Sequence, residues 1–488
     1  YADHERFVDR GIPTDDATKS PIDAMTDIVF GTKDLNKTTL EANILKGSLN
    51  HNYSDTGKLN FSVTANDFRK VYQNLYVSDY TASMGAKMDG YRDVTMRESL
   101  VIALSNINEF DRGTLTVGFE MVDTENNNHR YNTYFSSTRD DNEIFMPVRN
   151  MNFNVANGNL TNRRTLETGG LTDADVTQDQ VTYVDYISDL NNQSDTDIEV
   201  TSVYLQGNID LADQWKMILG GRYDEVETTI KQYGITVDGT GKGALNGTNP
   251  SLTKKDSLFS PRLGLIFKPQ ENMSLYLSYS EAFQPRSGEQ YKTFGSSAAK
   301  YNPDVFENTE LGFKYDMDSG LSLALAYFMG EQTKATAFDN GTGEETREIG
   351  LEIDGFEITL NGQINDNNAL RFGLASVDAT KSKGSGAAKE IPELTYSLWY
   401  THQANDMFAI SLGATYQDES YINSESGPLL PDYTRLDMAM TITPTENDVV
   451  RINIENLGDE TYYPHSHSDH QVSVGESQNV RVSYSKRF

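Results

Sequence analysis

Apolar and polar side chains alternate along almost the whole of this chain, and that period of two limits the possible folds more than any other feature. An extended strand turns successive side chains to opposite faces, so sustained alternation marks a strand with two chemically different faces. Leu59, Phe61, Val63 and Ala65 oppose Asn60, Ser62, Thr64 and Asn66. Leu115, Val117, Phe119 and Met121 form another such row, as do Trp215, Met217, Leu219 and Tyr223. The rows Met273 to Tyr279, Leu321 to Tyr327, Leu394 to Tyr400, Phe408 to Tyr416 and Val450 to Ile454 repeat the pattern. No long stripe of period 3.6 competes with them.

The connections are unequal. Segments 54–57, 108–113, 268–272, 316–320 and 444–448 are short and rich in turn formers. Long connections are expected at 11–38, 75–90, 128–194, 231–254, 286–303, 337–343, 383–389, 422–430 and 457–474, interleaved with the short ones. Short turns at one end of the strands and long loops at the other are the asymmetry of a transmembrane β-barrel. The runs number about 18, most of them long enough to cross a bilayer at the usual tilt. The expected fold is therefore all-β, a transmembrane antiparallel β-barrel. Tyr400, Tyr416, Tyr421 and Phe283 are candidates for its aromatic girdles, and Val480, Val482, Tyr484 and the terminal Phe488 share a face of the last strand. A soluble β-sandwich, a propeller or a surface adhesin would also alternate, but with strands of about 5–6 residues.

Composition removes other classes. Nowhere does the chain approach the roughly 18 consecutive apolar residues of a membrane helix, and its mean hydropathy of −0.57 is compatible with half-polar barrel strands. The 488 residues include no cysteine, which excludes disulfides, thiolate metal sites and cysteine nucleophiles. A net charge of −31 opposes nucleic-acid binding, which depends on Lys and Arg at phosphates. Acidic runs at Asp123 to Asn128, Asp140-Asp141 and Asp173 to Asp179 are expected to keep loops soluble, with divalent bridging to lipopolysaccharide as an alternative. The start at Tyr1, without a basic or apolar leader, implies a signal that was removed or not included.

Several segments resemble the barrel of TonB-dependent siderophore receptors, in particular those for catecholate-type ferric siderophores. They are Val8-Asp9-Arg10-Gly11-Ile12-Pro13, Leu211 to Asp224, and Ser260-Pro261-Arg262-Leu263-Gly264-Leu265 followed by Leu275 to Ser280 and Phe283 to Gly288. Phe306 to Gly312, Asn453 to Asp459 with Tyr462-Tyr463, and Arg481 to Phe488 extend the likeness to the end of the chain. Segment Val474 to Asn479 departs from the family's turn before the last strand. The resemblance implies an outer-membrane receptor of a Gram-negative bacterium that imports a ferric siderophore with energy from TonB. Iron would be bound only as the chelate. Since plugged transporters have about 22 strands, residues 1–488 are expected to be a barrel lacking its first strands and the N-terminal plug through which TonB acts. A passive porin and a surface adhesin are the alternative functions.

No catalytic constellation is apparent, and the expected role is not enzymatic. An anionic, aromatic catecholate complex calls for Arg as a charge-assisted donor and for Tyr or Phe as stacking faces. The loop candidates are Arg130, Tyr131, Tyr134, Phe135 and Arg139 in the longest connection, Arg286 and Tyr291 in another, and His465 and His467 near the end. With His470, the last two put three of the chain's seven histidines within six positions, but their spacing defines no metal geometry. Siderophore contact or a solvated loop is the expected reading there.

Overall fold

Nearly every alternating run becomes a strand of one sheet in the computed structural model. It describes residues 1–83, 85–135, 144–146, 148, 153–155, 182–237, 243–285, 300–338, 345–381, 388–423 and 427–487. The first strands are β1 (Ala2–Phe7), β2 (Lys37–Asn52), β3 (Gly57–Thr81), β4 (Gly85–Phe110) and β5 (Gly113–Phe135). Two short pieces, β6 (Ile144–Met146) and β7 (Phe153–Val155), precede β8 (Thr182–Ala212) and β9 (Trp215–Val237). Next come β10 (Gly243–Thr248), β11 (Leu252–Gln270), β12 (Met273–Gln284), β13 (Asp304–Asp316) and β14 (Leu321–Phe338). They are followed by β15 (Glu345–Asn365), β16 (Asn368–Lys381), β17 (Leu394–Gln403) and β18 (Phe408–Gln417). A two-strand loop hairpin, β19 (Ser420–Tyr421) with β20 (Leu429–Leu430), then leads to β21 (Tyr433–Thr445), β22 (Asp448–Glu455) and β23 (Asn479–Lys486).

Among the described residues the main sheet has 21 strands and is antiparallel except where β7 meets β8. Setting aside the short β6, β7 and β10 leaves eighteen strands, each paired with its neighbours in order, in agreement with the number of alternating runs. Among the described residues no register joins β1 to β23. The sheet nevertheless curls. Ile12, in the connection after β1, exchanges backbone hydrogen bonds of 2.8 Å with Val472, in the connection before β23, so the first and last connections meet at one rim.

One face is apolar from strand to strand. Trp215, Met217, Leu219 and Tyr223 of β9 stand directly opposite Phe267, Leu265, Leu263 and Phe259 of β11. The row passes through Leu277, Leu311, Tyr327 and Phe356 and ends at Ile454–Val480, Ile452–Val482 and Val450–Tyr484. These side chains are not tucked into a dry interior: Leu275 is 41% exposed, Leu277 50% and Ile410 42%. Trp215 and Tyr223 bound the row on β9, about 26 Å apart along the strand at roughly 3.3 Å per residue. At a tilt of about 40° that is about 20 Å of height, close to the apolar band of a membrane barrel. The buried apolar cluster lies elsewhere, among Ile12, Met25, Phe30, Leu35, Leu75, Val77, Met88, Ile422, Leu430 and Val472. A soluble sandwich would bury the rows themselves, between two sheets. Among the described residues no helix is long and apolar enough to cross a membrane.

The opposite face is polar and bonded from strand to strand. Asn60 donates to Ser105, Thr124 to Ser99, and Arg97 to Asn126. Arg222 donates to Glu120 and Asp224, each at 2.8 Å, and to Ser202, linking β5, β8 and β9. Aromatic rings on this face lie flat against facing glycines. A Cβ on Gly312 would sit 2.2 Å from the Tyr276 ring, and one on Gly413 would sit 2.3 Å from Trp399. Glycine is required there by close approach.

Connections at one end of the sheet have two to four residues, such as 111–112, 213–214, 271–272 and 446–447, while most at the other end are long. Two expected connections need correction. Residues 75–90 are mostly strand, because β3 and β4 stay paired up to Thr81–Gly85, and Gly85 (φ 91°) helps to close that hairpin. The 128–194 connection is also largely strand at both ends, since β5 and β8 pair as far as Phe135–Val184. The acidic run Asp123 to Asn128 thus belongs to β5, whereas Asp140-Asp141 and Asp173 to Asp179 fall outside the described residues. Tyr421 lies in the β19–β20 hairpin and not in a girdle. Phe488 also lies outside the described residues.

Candidate functional site

The upper part of β3 carries Phe68, Lys70, Tyr72 and Tyr76 at alternate positions, on the face continuous with Asn60 and Ser62. Register places Tyr91 of β4 and Arg130 of β5 on the same face, Tyr91 opposite Asn132 and Arg130 opposite Asp93. The three tyrosines touch: Tyr72 and Tyr91 have centroids 5.7 Å apart, and Tyr76 meets Tyr91 edge-on at 6.2 Å. Cations stack on the rings. The Arg130 guanidinium lies 3.9 Å from the centre of Tyr91, Lys70 lies 5.8 Å from Tyr72, and Arg10 lies 5.8 Å from Tyr76. In a chain of net charge −31, this wall gathers three cations and three phenols. It suits an anionic aromatic ligand by charge and by stacking.

Arg10 arrives from the connection between β1 and β2. That segment is fastened to β3 by Asn36, fully buried, whose side-chain amide donates to the carbonyls of Val8, Phe30 and Leu75. Gly31 (φ 131°) leaves room for this, since a Cβ there would meet the Asn36 side chain. Across the rim, Tyr463 donates to Asp23 and Asn423 to Asp469. Burial, then Asp23, raises the pKa of the Tyr463 phenol, keeping it a neutral donor.

The sequence-derived candidates separate. Arg130 stands in the tyrosine wall, and Tyr131, one residue on, points to the opposite face. Phe135 is fully buried in the loop core, packed within its apolar cluster. Tyr134 belongs to β5, but its side chain lies outside the described residues, as do Arg139, Arg286 and Tyr291 entirely. His465 and His467 are exposed; His465 pairs with the Ser473 hydroxyl at 2.9 Å. His467 has a pKa lowered by desolvation first and then by the charges of Arg10 and Lys389. His470 turns instead towards Asp79, at 3.8 Å. Among the described residues no group of three or more metal-ligating side chains converges.

Sequence reasoning missed Arg10, Tyr72, Tyr76 and Tyr91. The signal was a second row of period two, aromatic and cationic instead of apolar, at Phe68, Lys70, Tyr72 and Tyr76.

Residues 9–457 match the family model described as TonB dependent receptor-like, beta-barrel. The chain belongs to the TonB-dependent receptor β-barrel family. A curated relative in that family, the probable TonB-dependent siderophore receptor PiuA of Acinetobacter baumannii, is 25% identical over 317 residues, covering 60% of this chain and 41% of the receptor. The catecholate siderophore receptor Fiu of Escherichia coli K12 is 22% identical over 328 residues, 61% of this chain and 42% of Fiu. The match thus spans less than half the length of either curated relative. In three dimensions, the closed form of the E. coli K12 ferric-catecholate import receptor Fiu superposes with a TM-score of 0.77 at 16% identity. That superposition covers 100% of this chain and 71% of Fiu, and shows that the two share a fold. The TonB-dependent receptor barrel is thus the architecture to which the tyrosine wall belongs, and proteins of this family named as siderophore receptors lie in the Gram-negative outer membrane.

Proposed function

We propose that residues 1–488 belong to the barrel of an outer-membrane receptor that imports ferric siderophores, with TonB acting through a plug domain and not through the barrel wall. The ligand class proposed is an anionic catecholate complex, with iron carried only inside the chelate. The observation that carries this is the wall itself: Arg10, Lys70 and Arg130 lie over Tyr76, Tyr72 and Tyr91 on the face that lines the barrel. Cations supply charge-assisted hydrogen bonds to catecholate oxygens, and phenol rings supply area for stacking. A passive porin has no need of such a site, and an adhesin has no need of an apolar belt. Family membership and the named siderophore receptors among the relatives support the same reading.

Titration of the purified chain in detergent micelles with ferric tris-catecholate, followed by quenching of intrinsic fluorescence, tests the proposal. Saturable binding is expected, weakened about tenfold in Arg130→Gln, which corresponds to about 1.4 kcal/mol. Binding that is absent, or indifferent to Arg130→Gln, would remove the assignment of this wall.

A further inference from the structure

The donor fork of Arg10 is already occupied. Its Nε and one Nη both donate to a single oxygen, the side-chain carbonyl of Gln471, at 2.8 Å from Nε; the other Nη donates to the Tyr72 hydroxyl at 2.9 Å. A guanidinium presents parallel N–H groups that match the two oxygens of an oxyanion. Here two of them converge on one neutral amide oxygen, which fills that position without supplying charge. Gln471 is buried, at 6% exposure, while Arg10 is half-buried.

The connection bearing Gln471 does not depend on this contact. Backbone bonds between Ile12 and Val472, 2.8 Å in each direction, and from Thr14 to Asp469, 3.0 Å, hold it against the β1–β2 connection. His467 donates its backbone N–H to the Gln471 carbonyl at 3.0 Å, and the Gln471 N–H reaches Ser468 at 3.0 Å. Moving the Gln471 side chain off Arg10 therefore breaks none of these backbone bonds.

Resting on the ferric-siderophore reading, we propose that Gln471 is a built-in stand-in for the ligand's oxyanion, and that its exchange for ligand on Arg10 selects complexes by charge. The Arg10–Gln471 bonds are charge-assisted from the donor side alone, whereas an ionised acceptor adds the Coulombic attraction of unlike charges. An anionic chelate displaces the amide, and a neutral chelate of similar size does not. Gln471 thus sets a threshold, and Arg10 reads the charge.

The test uses the full chain in micelles and two probes, trianionic ferric tris-catecholate and the neutral ferric complex of acetohydroxamate. Gln471→Ala is expected to tighten the anionic complex by about fivefold, and to leave the neutral one within about twofold. Gln471→Glu, which gives Arg10 an internal carboxylate, is expected to weaken the anionic complex on the order of tenfold. In an Arg10→Lys background, which keeps the charge and loses the fork, the effect of Gln471→Ala should vanish. Circular dichroism and the heat-dependent gel shift of each variant report whether the barrel is folded. If both Gln471 variants bind the anion as the parent does, or if Gln471→Ala weakens both probes equally, Gln471 only packs and the proposal fails while siderophore binding stands. If the parent chain binds neither probe, the ferric-siderophore reading falls and takes this inference with it.

Discussion

At the scale of single residues, the decisive fact is that neighbours in a strand face opposite ways. Arg130 and Tyr131 are adjacent in sequence, yet only Arg130 reaches the tyrosine wall. Tyr91→Ala, which removes the ring beneath Arg130, should therefore weaken ferric catecholate binding about tenfold, within the range of a desolvated cation–π contact. Tyr131→Ala should leave the affinity unchanged. Fluorescence titration of both variants checks the pair, and equal losses would mean that the ligand does not lie on this face. Arg130 could be recognised in the sequence from residue type and neighbourhood. Arg10 could not, because nothing in a linear chain places a residue of the first connection above tyrosines more than sixty positions away.

At the scale of elements, alternation assigns environment as well as face. Leu277 stands on the apolar row of β12, and Ser278 on the polar face opposite Gly264. Leu277→Lys should cost about 2–4 kcal/mol of folding free energy in lipid vesicles, as a cation near the midplane does. Ser278→Lys should fold within about 1 kcal/mol of the parent, because its charge enters a hydrated space beside Glu310, its β13 partner. Urea titration in vesicles compares the two, and similar losses would contradict the membrane assignment.

The rim connections respond to pH instead. His467 has its pKa held below the ordinary imidazole value, so the unfolded chain takes up that proton first as pH falls. Packing of the 456–478 connection is thus fullest above about pH 6.5 and weakens below it. Hydrogen exchange at the Val472 amide, corrected for its intrinsic rate, should be faster at pH 5 than at pH 7.5, and His467→Asn should flatten the difference. The upper ends of β3, β4, β5 and β8 were the elements least legible in the sequence. Above the apolar band their outward residues turn polar, as at Asp67, Glu98, Glu125 and Asp197, which are paired across neighbouring strands. With both faces polar the period of two disappears from hydropathy, although the backbone ladder continues.

For the whole molecule, the two tryptophans provide a test of inside and outside. Trp215 packs on Phe267 in the apolar belt, their rings 4.6 Å apart, while Trp399 lies over Gly413 on the polar face. In vesicles of brominated lipid, a Trp399→Phe variant, which keeps only Trp215, should be strongly quenched. A Trp215→Phe variant should be quenched weakly, and equal quenching would overturn the assignment of faces. By itself the sequence determined the period of two, the number of strands, the short and long ends and the membrane environment. Each of these follows from the backbone geometry of an extended chain in contact with lipid on one side and water on the other. Only the tertiary structure decided which distant residues meet. The curl of the sheet brings the first and last connections to one rim, where Ile12 pairs with Val472 and Arg10 meets both Gln471 and Tyr72. Such contacts arise from the curl of the sheet in space, and strand periodicity carries no information about them.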